Sequence, residues 1–265
     1  MRQLTLEQRR LLGPRAPFHV GDIAWGLNMH EGREDEWDFR LWRDHDRVVA
    51  WSWLDRANGL LEVDVRPDRR DLLDEALAEP AAHTASSFED DRELREILAR
   101  HGFTKPGGPM HFLVRDLDAT PPVAPLPEGF RCRTVEEADL AERVAAHRDA
   151  FAPSRVTETS YRNVMSAWPY RRSLDCVVEA PDGSFAAYCL VWPDDENRVG
   201  ELEPVGTRSE FRRRGLGAAV CTFALRRLYE EGGRQAVVYC FPGRGCDLYR
   251  SIGFEVHASM VGYSR

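Results

Sequence analysis

The sequence lacks the long apolar segments that a membrane protein or a secreted precursor needs. No apolar run approaches the roughly 20 residues that span a bilayer, and Met1 to Thr5 do not begin the apolar core of a signal peptide. An excess of positive charge is also missing, because 44 acidic residues outnumber 36 basic ones and the formal net charge is −8. We therefore expect a soluble cytoplasmic protein whose partner is neither nucleic acid nor a membrane.

Closely spaced cysteine pairs are also absent. All six cysteines lie in the second half, and no Cys-x-x-Cys spacing occurs among Cys132, Cys176, Cys189, Cys221, Cys240 and Cys246. Most of them fall within apolar runs, which predicts buried free thiols and excludes a disulfide framework or a zinc site. We expect no bound metal.

The chain is long enough for two domains, and a proline-rich segment lies near its middle. Its 265 residues are enough for two domains of about 100 to 150 residues each, although one large domain is the alternative. Four prolines between Pro121 and Pro127 exclude an interior helix or a central strand there. We therefore predict a proline-rich linker at 118–129 that joins an N-terminal domain, 1–117, to a C-terminal domain, 130–265.

The second domain alternates between strand and helix signals. A strand at Phe130 to Arg133 precedes Thr134-Val135-Glu136-Glu137, which has the Ser/Thr-x-x-Glu pattern of a helix start. Two apolar runs joined by Pro181-Asp182-Gly183 predict a hairpin. The predicted order is strand, helix, helix, three strands, helix, strand, helix and strand. This order indicates an α/β fold of the mixed α+β kind, with a mostly antiparallel sheet flanked by helices.

The most informative stretch is Arg212-Arg213-Arg214-Gly215-Leu216-Gly217, between a strand at Gly200 to Thr207 and a helix at Leu216 to Glu230. A strand that ends in such a turn aims backbone N–H groups and the positive end of a helix dipole at one point. The glycines allow close approach of an anion, and the arginines add forked hydrogen bonds. The stretch predicts a phosphate site. The alternative is an exposed turn, since most charge runs are solvated.

A second motif, Leu248-Tyr249-Arg250-Ser251-Ile252-Gly253-Phe254, follows one helix and one strand later. The Arg-x-x-Gly-x-Gly turn and this Leu-Tyr-x-x-x-Gly-Phe segment together resemble the GNAT acetyltransferase superfamily, in a tandem arrangement similar to that of mycothiol synthase. The resemblance implies an acetyl-CoA-dependent N-acetyltransferase, in which a primary amine of a small molecule attacks the thioester directly. A monomer and a homodimer are both compatible with it.

The resemblance also implies roles for particular residues. Glu201 is the expected general base, with Glu203 second, and Tyr249 is the expected general acid for the CoA sulfur. Acetyl-CoA is expected to bind along Val205, Gly206 and Thr207 and in the turn formed by Arg212, Arg213, Arg214, Gly215, Leu216, Gly217 and Ala218. The amine is expected near Glu203, Asp149 and Tyr161. One departure is that Pro242 and Gly245 stand where family members often carry Asn and Ala.

The first half repeats part of this plan without either motif. When Val65 to Arg70 is aligned with Thr207 to Arg212, Leu73 and Glu75 replace the turn glycines, and Leu98 replaces Tyr249 by a similar alignment. We therefore predict tandem GNAT-like units, of which the N-terminal one is degenerate and forms a wall of the acceptor site. The alternative is an unrelated α/β domain.

Two other functions remain open at this level. The first is a non-catalytic acyl-CoA-binding or sensor module with a protein partner, although the presence of Tyr249 and of a candidate base argues against it. The second is an aminoacyl transferase built from tandem GNAT-like units. It is disfavoured because such enzymes do not need an intact turn for the CoA pyrophosphate.

Overall fold

The computed structural model describes all 265 residues. The first half holds four helices and five strands: α1 (Arg2–Leu12), α2 (Val20–Asn28), β1 (Trp37–Asp44), β2 (Arg47–Asp55), β3 (Leu60–Val65), α3 (Leu73–Leu77), β4 (Thr84–Phe88), α4 (Arg92–Arg100) and β5 (Lys105–Asp116). None of the helices in the chain combines the length and the apolarity that crossing a membrane requires.

The second half holds the elements that the sequence predicted, with shifts of a few residues at their ends. They are β6 (Arg131–Thr134), α5 (Leu140–Ala150), α6 (Glu158–Ser166), β7 (Asp175–Glu179), β8 (Phe185–Asp194), β9 (Val199–Thr207), α7 (Leu216–Glu230), β10 (Gln235–Cys240), α8 (Arg244–Ser251) and β11 (Glu255–Ser264). The predicted hairpin is formed by β7 and β8, and Gly183 in its turn has a φ of +87°, which favours glycine.

All eleven strands form one sheet, in the order β1-β2-β3-β4-β11-β5-β10-β9-β8-β7-β6. Most neighbours are antiparallel, whereas β3 and β4 run parallel, as do β9 and β10. The last strand of each half lies in the other half, because β5 pairs with β10 and β11 pairs with β4. The two exchanged strands pair with each other at the centre of the sheet.

The strand pairing of the first half repeats that of the second. Antiparallel pairs β1-β2 and β2-β3 correspond to β7-β8 and β8-β9, and each series ends in a parallel pair. This repetition agrees with tandem GNAT-like units. The bounds 1–117 and 130–265 stay a prediction, since one sheet runs through both halves. Residues 118–130, which include the predicted linker, contain no helix or strand.

The sequence prediction missed three elements, α1, α2 and β4. The helix α1 is rich in charged residues, and it lies against β2 through the buried Leu4, which packs with Trp51 and Trp53. The strand β4 is five residues long and reads Thr-Ala-Ser-Ser-Phe, so it has little of the β-branched and aromatic content by which strands are predicted. The positions of α1 and β4 are therefore determined more by tertiary packing than by the local sequence pattern.

The prediction of six free thiols was wrong for two of them. Cys240 at the end of β10 and Cys246 in the first turn of α8 form a disulfide, with their Cα atoms 6.0 Å apart. The other four cysteines are free, and three of those are buried. Five residues, 241–245, separate the two cysteines, so their spacing differs from the Cys-x-x-Cys pattern, and nothing in the sequence indicated this disulfide.

The largest hydrophobic core surrounds α7, which packs against β7, β8 and β9. Its buried residues include Val220, Ala224 and Leu228, which recur at helical spacing on one face. Because this face is fixed against the sheet, the N-terminus of α7 is held at the end of β9.

Candidate active site

The predicted phosphate turn connects β9 to α7. Gly215 caps the helix with a φ of +79°, and Arg213 has a φ of +64°. None of the N–H groups from Arg213 to Ala218 donates to a protein acceptor, and Ala219 is the first to bond back, to the carbonyl of Gly215. Six unpaired N–H groups at the positive end of a helix form an anion-binding site. The residues present therefore fit the pyrophosphate of acetyl-CoA.

Two glycines keep the approach to this turn open. A Cβ on Gly217 would lie 3.3 Å from both the Leu248 side chain and Thr207 Oγ1. A Cβ on Gly206 would lie 2.4 Å from the hydroxyl of Tyr188, which is closer than atoms can approach. Gly206 therefore has no room for a side chain, whereas a methyl group at Gly217 would make a tight contact that a small shift of the Leu248 side chain relieves.

The arginine triplet is exposed, and its first member is held in place. Arg212 donates from Nε to the carbonyl of Thr207 at 3.2 Å and from a terminal nitrogen to the carbonyl of Ala150 at 3.3 Å. Arg214 lies over the ring of Phe211. The triplet thus adds three positive charges to the segment that carries the six free N–H groups.

A cleft of about 880 Å³ is lined on one side by Glu201 to Val205 of β9, the strand that leads into this turn. The parallel pairing of β9 and β10 ends at Glu201 and Val237, after which the strands diverge. Residues from Leu202 to Val205 therefore line the cleft along the inner edge of β9, and Tyr249 of α8 lines it from the other side. A free strand edge of this kind can pair with the amides of an extended ligand such as pantetheine.

Tyr249 reaches this cleft from a largely buried position. Burial raises the pKa of its hydroxyl well above the ordinary value. The phenol is therefore protonated at neutral pH, which is the form that a proton donor requires.

Three carboxyl groups meet on the cleft wall. Oxygens of Asp22, Glu201 and Glu203 all lie within 4.8 Å of one another. Asp22 comes from α2 of the first half, whereas the two glutamates lie on β9, two residues apart and therefore on the same side of the strand. Three oxygens at this spacing also resemble what a divalent cation would need, so the expected absence of a metal stays a prediction.

Glu201 is the most enclosed of the three, with 1% of its surface exposed. His19 is the one basic side chain within ion-pair distance of Glu201, since its Nδ1 is 3.2 Å from the carboxyl oxygen Oε2. That nitrogen accepts the N–H of Gly21, and burial lowers the pKa of His19 to about 3, so the imidazole is neutral. Both oxygens of Glu201 thus lack a protein hydrogen-bond donor.

The surroundings favour the neutral form of this whole cluster. Burial, reinforced by the charge of Glu203, raises the pKa of Glu201 to about 8. Burial, with the charges of Asp22 and Glu62, raises the pKa of Glu203 to about 8 as well. The pKa of Asp22 is also raised, by burial and then by Glu201. Since the groups are this close, they titrate as a coupled cluster in which protons are shared.

The first turn of α2 positions Asp22 against Glu201. The Asp22 carboxylate accepts the N–H of His19 at 2.6 Å, and the His19 side chain caps the helix in return. A Cβ on Gly21 would lie 2.3 Å from Oε2 of Glu201, so only glycine permits this approach. Sequence reasoning missed both His19 and Asp22. The available signal was a His-x-x-Asp cap ahead of the apolar run Ile23 to Trp25.

Two predicted acceptor residues lie elsewhere, which corrects the sequence interpretation. Tyr161 is fully buried and donates its hydroxyl to Asp175 at 2.6 Å, next to the buried guanidinium of Arg143. It supports the core and does not line the cleft. Asp149 accepts the N–H of Ser209 beside the phosphate turn, so it orients the loop after β9 and is not part of the carboxyl cluster.

Comparisons with known proteins agree with this geometry. Residues 141–254 match the Acetyltransferase (GNAT) family. A mycothiol acetyltransferase of Segniliparus rotundus is 36% identical over 72 residues, a match that covers 26% of this chain and 27% of that protein. The match thus spans about a quarter of that relative's length.

Two solved structures resemble the whole chain. A GCN5-related N-acetyltransferase from Sphaerobacter thermophilus has a TM-score of 0.68 and 19% identity, with coverage of 100% of this chain and 90% of that one. A tandem GNAT protein from the clavulanic acid biosynthesis pathway has a TM-score of 0.69 and 17% identity, with coverage of 100% and 93%. The second half of the chain therefore resembles the GNAT acetyltransferase family, and the full length shares the fold of these two structures.

Proposed function

We propose that the protein is an N-acetyltransferase that transfers the acetyl group of acetyl-CoA to a primary amine of a small molecule. The observation that carries the proposal is convergence on one cleft. The free edge of β9, the protonated Tyr249 and the carboxyl cluster border the same space, and the anion-binding turn follows the end of β9. The family match and the names of the similar proteins support acetyl transfer.

In this proposal the turn from Arg212 to Ala218 binds the pyrophosphate, and the edge of β9 at Val205 to Thr207 pairs with the pantetheine amides. The amine nitrogen attacks the thioester carbonyl carbon, so that a C–N bond forms. The backbone N–H of Val205 stabilises the oxyanion. When the tetrahedral intermediate collapses, the C–S bond breaks and Tyr249 gives its proton to the departing sulfur.

Glu201 is the proposed acceptor of the amine proton, directly or through Glu203 or water. A base must be ionised to accept a proton, and the pKa of about 8 means that ionised Glu201 becomes predominant only above pH 8. A base with a pKa this close to that of an alkylammonium group, about 10, removes its proton more effectively than an ordinary carboxylate. We therefore expect kcat/KM to rise towards pH 8 and to level off above it.

Free-thiol release from acetyl-CoA tests the proposal, with a panel of amino sugars, aminoglycosides, polyamines, amino acids and alkylamines. Tyr249→Phe should lower kcat roughly a hundredfold, within the usual range for a lost general acid, while acetyl-CoA binding is retained. Undiminished turnover by this variant would remove Tyr249 from the mechanism. Glu201→Gln should abolish the rise of kcat/KM towards pH 8.

The cofactor turn is tested separately by calorimetry. Gly217→Glu should weaken acetyl-CoA binding about a hundredfold, because a carboxylate then stands where the pyrophosphate must bind. Gly217→Ala is the matched control, and it should bind nearly as well as the parent since it adds a methyl group without charge. Tight binding by the parent with no turnover on any amine would instead favour an acyl-CoA-binding module.

A further inference from the structure

A second cavity lies in the first half, in the position that corresponds to the cofactor cleft. The parallel pairing of β3 and β4 ends at Leu61 and Ala85, after which these strands diverge just as β9 and β10 do. The space between them measures about 820 Å³, within the range of ligand sites. We call this cavity the β3–β4 groove.

The groove and the cleft that holds the carboxyl cluster lie side by side. Five residues line both of them: Asp22, Glu62, Met110, Tyr239 and Phe241. Two of the five are carboxylic acids, and they stand at the junction, next to Glu201 and Glu203. A molecule that extends along the groove would therefore present its inner end to the carboxyl cluster.

The groove itself is mainly apolar. Its walls include Leu61, Val63, Leu73, Phe88, Leu94 and Met260. Of the three cations in its lining, Arg15 pairs with Asp90 at 2.6 Å and Arg70 pairs with Asp91 at 2.8 Å, which leaves the exposed Lys105 as the single cation without an ion pair. The turn after β3 also has no long helix behind it, since α3 has only five residues. The groove therefore lacks the anion site that the CoA pyrophosphate needs.

The inner end has the opposite character. The carboxyl of Glu201 is 1% exposed and both its oxygens lack a donor, so this end presents unsatisfied acceptors to whatever occupies the junction. Asp22, Glu62 and Glu203 are only partly buried and face the same space. An ammonium group can donate hydrogen bonds to these oxygens, and its positive charge favours their ionised form.

We propose that the β3–β4 groove holds the apolar chain of the acceptor, so that the acceptor is an amphiphilic primary amine whose nitrogen lies among Asp22, Glu62 and Glu203. This inference rests on the proposed function and adds the substrate class to it. The first half then provides the acceptor specificity, while the second half binds acetyl-CoA. An apolar chain gains transfer free energy with each methylene group that leaves water.

The first test is a series of linear amines, from ethylamine through butylamine and hexylamine to octylamine, at saturating acetyl-CoA. We expect kcat/KM to rise about fourfold for each added methylene until the groove is filled. A flat series would overturn the proposal while leaving the acetyltransferase assignment intact. Glu62→Gln should lower kcat/KM for every member of the series by a similar factor, since all of them share the ammonium group.

Gly262→Phe provides the steric test. A Cβ at Gly262 would meet Thr84 and Ser86 on the groove wall at ordinary contact distances of 3.5 and 3.6 Å, so a larger side chain fits at its base and projects beside the groove. The variant should lose at least tenfold in kcat/KM for octylamine and should keep the parent value for ethylamine, which also shows that it is folded. Val256→Phe, at an exposed position of the same strand, is the control and should change neither.

Calorimetry with octylamine, without acetyl-CoA, separates this proposal from the proposed function. Binding by the parent that Gly262→Phe abolishes would support the groove even if no amine were acetylated. If Gly262→Phe does not fold, Ser86→Leu on the neighbouring strand β4 replaces it. Octylamine turnover unchanged in both variants would refute the proposal. The proposal would also be refuted if the parent bound two equivalents of acetyl-CoA and Gly262→Phe bound one, because the groove would then be a second acyl-CoA site.

Discussion

Replacing Glu203 by glutamine should shift the titration of Glu201. The two carboxyls lie within 4.8 Å, and after burial the charge of Glu203 is the largest cause of the raised pKa of Glu201. At an effective dielectric constant of about 20, two charges at that separation repel by about 3 kcal/mol, which corresponds to about two pKa units. The rise of kcat/KM near pH 8 should therefore move one to two units lower in Glu203→Gln.

The same substitution should change how stability depends on pH. A carboxyl whose pKa rises from 4.5 to about 8 on folding stays protonated in the native state while the unfolded chain ionises. The native state then binds more protons, so stability is greatest below pH 4.5 and falls as the pH rises to about 8. For Glu201 this loss is on the order of 5 kcal/mol.

Glu203→Gln removes the part of this loss of stability that the Glu203 carboxyl causes. It also reduces the part that Glu201 causes, because the pKa of Glu201 is then raised less. We expect the variant to melt roughly 5 to 10 °C higher than the parent at pH 8 and at nearly the same temperature at pH 4.5. Glu196→Gln, which neutralises an exposed residue of the turn between β8 and β9, is the matched control and should show no such pH dependence. Equal gains at both pH values, or an unmoved kcat/KM profile, would refute the reasoning.

Two further predictions concern packing. Gly206→Ala should lower stability by about 1 to 3 kcal/mol in urea titrations, because its Cβ would overlap the Tyr188 hydroxyl, whereas Gly245→Ala has open space and should cost nothing. Tyr161→Phe should cost about 1 to 3 kcal/mol, because it leaves an oxygen of buried Asp175 with one donor fewer, and it should leave KM for the amine unchanged. A raised KM would restore Tyr161 to the acceptor site.

The sequence predicted the second half well because its local signals agree with its tertiary structure. The helix at Leu216 to Glu230 is bounded by Gly215, whose left-handed conformation ends the preceding turn, and the hairpin is bounded by Gly183. Both signals are local, so no knowledge of distant contacts was needed. The face of the strand that carries Glu201 and Glu203 followed in the same way from the alternation of side chains.

The carboxyl cluster was only half predictable, because its members are far apart in the chain. Asp22 and Glu62 precede Glu201 by more than a hundred residues, and they meet it only because the two halves share one sheet. Asp149 was expected near the amine, but it accepts a hydrogen bond from the N–H of Ser209 instead. Acidic side chains on surface helices are common, and nothing in their local sequence indicates which of them enter a cleft.

The exchange of β5 and β11 explains why a half without the cofactor motifs can still be required for activity. β10 borders the cofactor cleft, and it obtains its outer neighbour from the first half, where β5 pairs with it from Asp116 to His111. Without β5, the edge of β10 would be exposed along its whole length, and unpaired edges favour association with other chains. β4 depends on β11 in the same way. The first half, which lacks the phosphate turn, therefore supplies a strand that borders β10 and receives one in return.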